Sequence, residues 1–99
     1  MDPIRPRLKA MDRAHAEAIA ATALGVVAAD PHRLGLFLAL TGIGPETLRK
    51  AAAQPGFLRA VLDFAIGDDA LVGAIAAACE IPPLKVIAAR DALEAGPVP

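Results

Sequence analysis

Apolar residues in this chain recur at helical spacing in short blocks, and Asp, Gly or Pro closes almost every block. Aspartate before a block supplies an N-cap, proline fits the first helical position, and glycine ends a helix by tolerating a left-handed backbone. The pattern predicts six helices. Asp12 caps the first, over residues 12–29, where Ile19, Ala23, Val26 and Val27 share one face. Asp30-Pro31 repeats the start signal for a second over residues 31–41. Its Leu34, Leu36, Phe37, Leu38 and Leu40 leave hardly any polar side, which predicts a helix central to the core.

Beyond Gly42-Ile43-Gly44, Pro45 opens a third helix over residues 45–53, with Glu46 spaced to pair with Arg49 or Lys50. Gln54-Pro55-Gly56 breaks it. A fourth, over residues 55–66, carries Phe57, Leu58, Val61, Leu62 and Ala65 inward and an Arg59–Asp63 pair outward. Gly67 stops that helix and Asp68 caps a fifth, residues 69–80, with Leu71, Val72, Ile75 and Cys79 as core positions. Pro82-Pro83 starts a sixth that carries Val86, Ile87, Ala89 and Leu93 and ends at Gly96. Period-two alternation is absent, so no strand is expected. Small residues four apart (Ala21, Gly25 and Ala29; Gly35 and Ala39; Gly73 and Ala77) suit close helix contacts. The expected fold is all-α, a compact bundle of about five to six short helices joined by tight Gly/Pro/Asp turns. It occupies residues 12–96, after a flexible basic tail of residues 1–11 and before a C-terminal tail of residues 97–99.

Composition narrows the function more by exclusion than by assignment. Of the 99 residues 24 are alanine, a strong helix former that buries little surface, so the core rests on the larger apolar side chains. The chain has no Trp or Tyr and only three Phe, which supplies a stacking platform for single-stranded nucleic acid poorly, so no such platform is expected. Net charge is −1 with both signs interspersed, so no overall field steers the domain toward phosphate or acidic lipid. The exception is the first 13 residues, where Arg5, Arg7, Lys9 and Arg13 outnumber Asp2 and Asp12, and Pro3 and Pro6 disfavour helix. Cys79 stands alone, so an intrachain disulfide is impossible and a reducing compartment is the simpler expectation. The longest uncharged runs, residues 18–29 and 34–45, fall short of a membrane span, and no apolar signal core precedes Asp12. A cytoplasmic protein with no membrane partner is expected.

Two segments resemble nucleic-acid-binding motifs. Gly42-Ile43-Gly44-Pro45, with Thr47, resembles the turn of a helix-hairpin-helix, here residues 40–50. In that motif, backbone N–H groups and the next helix's N-terminus hold a phosphate, and glycine keeps side chains out of its way. Arg49 and Lys50 would add charge. Against this, Glu46 stands where such motifs often carry Lys or Arg and would repel phosphate, and Leu48 replaces the small residue that lets the helices close. The architectural reading is that Gly42 caps one helix, Ile43 faces the core and Pro45 begins the next. Residues 71–94 resemble a helix-turn-helix, in which the second helix must offer polar donors to the major groove. Glu80 replaces the usual turn glycine, and the outer face offers mainly Lys85 and Arg90 beside Asp91 and Glu94.

Catalytic signatures are missing. His15-Ala16-Glu17 has the His-x-Glu spacing of zinc deaminases without the paired cysteines. No phosphate loop, ligand cluster or nucleophile signature surrounds Cys79, so no cofactor, metal site or enzymatic activity is expected.

The order of Ala29-Asp30-Pro31, Leu34 to Leu40, Thr41-Gly42-Ile43-Gly44-Pro45, Phe57-Leu58 to Asp63-Phe64 and Gly67-Asp68 resembles a small bacterial family known only as domain of unknown function 3572. The resemblance spans about residues 12–95 and implies a small helical domain, with no activity or site residue attached. Two functions stay open. The leading one is a non-enzymatic protein-interaction or scaffold module, with a homodimer through the second or fourth helix to cover surplus apolar surface. The alternative is a DNA-binding protein using Gly42, Gly44, Arg49 and Lys50 of the hairpin, or Lys85 and Arg90 of the last helix pair.

Overall fold

A computed structural model describes residues 11–54 and 56–95, the side chains of residues 94 and 95 excepted. Helices α1 (Arg13–Ala28), α2 (Pro31–Thr41), α3 (Leu48–Ala52), α4 (Phe57–Ile66), α5 (Asp69–Cys79) and α6 (Pro83–Ala95) follow one another, with a 3₁₀ turn Pro45–Thr47 before α3. No strand occurs among the described residues, and the fold is the all-α bundle the pattern predicts.

Capping aspartates begin three of the helices. Asp12 accepts from the Ala14 N–H, Asp30 from those of His32 and Arg33, and Asp68 from that of Leu71. Each bond satisfies a donor that the first helical turn would otherwise leave unpaired. Gly42 ends α2 at φ +76° and Glu80 ends α5 at φ +59°. Gly67 ends α4 with φ at −76°, so the stop there is an ordinary turn and not the left-handed cap expected.

The core is centred on α1, which packs on α4, α5 and α6. Its Ala16, Ile19, Ala20, Ala23 and Val27 are buried, and they meet a layer that includes Val61, Leu62, Leu71, Ile75, Val86 and Ala89. Three of the five buried positions on α1 are alanine, which lets neighbouring backbones approach closely.

Several expectations are corrected by this arrangement. The second helix is peripheral: Phe37 is its only buried residue, Leu34 and Leu38 are half-buried, and Leu36 and Leu40 are 45% and 76% exposed. Four other helices already enclose the core, so α2, which turns through 114° after α1, can offer only one edge to it. The small-residue stripes face outward. Ala21, Gly25, Ala29, Gly35, Ala39, Gly73 and Ala77 are all exposed, and a Cβ added to Gly25, Gly35 or Gly73 would meet no atom within 4 Å. The third helix splits into a 3₁₀ turn and five α-helical residues, and the fourth starts at Phe57, after Gly56 at φ +90°. Val26 and Cys79 are half-buried, Ile87 is exposed, and Met11, assigned by the sequence to the tail, packs partly buried against the core. The remainder of the tail, residues 1–10, Pro55, the expected stop at Gly96, and residues 97–99 lie outside the described residues.

Candidate functional site

The Gly-Ile-Gly hairpin is built as a corner. Gly42 donates its N–H to the Leu38 carbonyl at 2.9 Å, closing α2, while Ile43 packs half-buried against the core. Thr41 Oγ1 donates back to the Phe37 carbonyl at 2.8 Å, and Thr47 Oγ1 donates to the Gly44 carbonyl at 3.0 Å, fastening each side of the turn. Glu46 folds back over Gly44: a Cβ on that glycine would stand 2.9 Å from the Glu46 Oε2. A carboxylate therefore lies beside the backbone that an anion would have to approach. Arg49 and Lys50 follow on α3, both exposed, and none of the ion pairs among the described residues joins either of them to Glu46.

The α5–α6 corner has the shape of a helix-turn-helix and a different surface. The chain turns through 94° there, and Glu80, at φ +59°, is the one described non-glycine residue with positive φ, at the position where that motif favours glycine. On α6, Val86, Ala89 and Leu93 face the core. Arg90 is held by α4, its Nε donating to Asp63 Oδ1 at 2.6 Å and its Nη1 to Asp91 Oδ1 at 3.2 Å. Lys85 is exposed in the first turn. Five residues apart on a helix of 3.6 per turn, Lys85 and Arg90 project about 140° from each other. The outward positions beside Lys85 are Leu84, 75% exposed, and Ile87, 38% exposed, one helical turn apart. The six candidate residues thus fall into two separate places, and the exposed positions next to Lys85 on α6 are apolar.

A groove of about 860 Å³ opens between α2 and the α4–α5 corner. Leu36, Leu40 and Phe64 supply apolar surface, and four carboxylates, Asp30, Asp63, Asp68 and Asp69, stand around it with the single guanidinium of Arg33. Arg33 links the two sides: its Nε donates to Asp68 Oδ2 at 3.2 Å and its Nη1 lies 3.5 Å from Asp30 Oδ2. The Leu71 N–H, and after it Arg33, hold the Asp68 carboxyl below its ordinary value of 3.8. Asp63 is shared between Arg90 and, at 3.5 Å, Arg59. The sequence reading missed this groove, since its residues come from segments some thirty positions apart. The signal available was the excess of leucine on the second helix over what one buried face needs.

His15 and His32 are exposed and Cys79 is half-buried. Among the described residues, no group of three His, Cys, Asp or Glu side chains is placed to hold a metal ion, and no single helix is long and apolar enough to cross a membrane.

Neither the curated proteins nor the solved structures contain a match to this chain. Residues 13–96, which span all six helices, match the model of the family described as Protein of unknown function (DUF3572), and the chain belongs to that family.

Proposed function

We propose that this domain is a non-enzymatic protein-interaction module that binds through the outer face of α6. One observation carries the reading: the face of α6 turned to solvent presents Leu84 and Ile87, while Arg90 is tied down by Asp63. A helix that reads DNA needs free polar donors on that face, whereas an apolar pair rimmed by Lys85 and Asp91 suits another protein. Self-association through α6 is the simplest form, since a two-fold contact would set the same pair against itself. The fourth helix is a poor candidate for that contact, because its apolar side lies in the core and Arg59 and Asp63 occupy its outer side. A bacterial cytoplasmic setting accords with the single cysteine and with the resemblance that named the family.

Sedimentation velocity over a concentration series tests the reading. Burying a leucine side chain contributes about 1.5–3 kcal/mol, so Leu84→Ser is expected to weaken the dimer at least about tenfold, and more if both copies lose the contact. A wild-type chain that stays monomeric to millimolar concentration removes self-association through α6. The DNA-binding reading retains the 94° corner in its favour, and a salt-dependent affinity for duplex DNA lost in Lys85→Ala would establish it instead.

A further inference from the structure

We propose that the groove between α2 and the α4–α5 corner is the docking site for this chain's own residues 1–10, bound within the same molecule. The groove pairs an apolar floor with a rim of excess negative charge. Leu36 and Leu40 remain 45% and 76% exposed beside Phe64, so folding of residues 11–95 leaves this surface uncovered. On the rim, Arg33 spans Asp30 and Asp68, Arg59 and Arg90 flank Asp63, and Asp69 is exposed with no cationic partner among the described residues. A fitting ligand is a short segment that sets an apolar residue beside closely spaced cations.

Residues 1–10 have that chemistry. Ile4 is followed by Arg5, Pro6 and Arg7, then Leu8 and Lys9, with Asp2 the only acid. In an extended segment alternate side chains take opposite sides, so Arg5 and Arg7 share one side and Ile4 the other. Arg5 and Arg7 complement the rim, while Ile4 complements Leu36, Leu40 and Phe64.

The segment also reaches. Arg13 and Glu17 share a second hollow with Leu58 and Arg59 at the start of α4, and the groove begins at Asp63 and Phe64 near the end of that helix. From Leu58 to Phe64 the helix rises about 9 Å, and the hollow between Arg13 and Leu58 adds to that path. Ten extended residues cover about 33 Å, a reach long enough for the stretch around Ile4 to Arg7 to meet the groove. Tethering gives the segment an effective concentration near millimolar, so a contact too weak to persist between molecules suffices within one.

The test uses the full chain and amide NMR. Arg5→Glu/Arg7→Glu, and separately Ile4→Ser, are expected to shift the amides of Leu36, Leu40, Phe64 and Asp69. Rising salt is expected to move the same wild-type amides and to leave those of the double variant in place, because a rim contact is screened. Adding Asp69→Lys to Arg7→Glu is expected to restore part of the wild-type pattern. Shifts confined to residues near the substitutions overturn the proposal. So do groove shifts that grow with protein concentration, which assign the segment to a second copy. Leu84→Ser leaves these amides unmoved, so the outcome is independent of the α6 reading.

Discussion

Phe37→Ala isolates the side chain that holds α2 to the domain. Phe37 is fully buried, and its ring meets Phe57 edge-on at 5.9 Å and Phe64 at 5.4 Å between centroids. Truncating a buried phenylalanine costs about 3–5 kcal/mol, and two edge-to-face neighbours place this position in the upper half of that range. A domain of this size is stable by about 5–15 kcal/mol, so the loss takes a large share of the total. The midpoint of thermal unfolding should fall by about 16–40 °C, at about 4–8 °C per kcal/mol. Leu40→Ala on the same helix removes a side chain that is 76% exposed and should cost no more than about 0.5 kcal/mol. Urea denaturation followed by far-UV circular dichroism measures both. A loss below about 1 kcal/mol at Phe37, or equal losses at the two positions, would refute the assignment of Phe37 as the anchor of α2.

Three further outcomes test other parts of the fold. Glu80→Gly should stabilise the domain by about 0.5–1 kcal/mol, because relief of a left-handed glutamate at φ +59° outweighs the added freedom of glycine in the unfolded chain; an unchanged urea midpoint counts against strain there. Gly42→Ala, at φ +76°, should cost about 1–2 kcal/mol, whereas Gly44→Ala should cost far less, since only the flexible Glu46 carboxylate obstructs it. Equal costs would undo the assignment of Gly42 as the cap. Asp68 has its pKa lowered by folding, so its contribution is complete above the ordinary 3.8 and fades as pH falls through the lower folded value. Thermal midpoints measured against pH should therefore lose part of their acid slope in Asp68→Asn, and an unaltered slope contradicts the assigned role.

The hairpin shows how far local reading carried. Its left-handed glycine and its proline start are where the residues placed them, because a cap needs only its own turn and the neighbouring N–H groups. Its charge was less legible. The sequence offered Glu46 as a partner for Arg49 or Lys50, and the folded chain turns it back over Gly44. The groove lay beyond local rules altogether, since Arg33 and Asp68 meet across 35 positions of sequence.

By itself the sequence determined the class, the six helices and nearly all their ends, since capping, proline geometry and helical periodicity act within a few residues. Tertiary structure alone decided which apolar side chains are covered. Phe37 is buried and Leu40 bare on one helix, Val86 buried and Leu84 bare on another, although hydrophobicity barely separates the members of each pair. Alanines of α1 lie in the core while those leucines are left uncovered by the six helices, because burial depends on which distant helices already enclose a face.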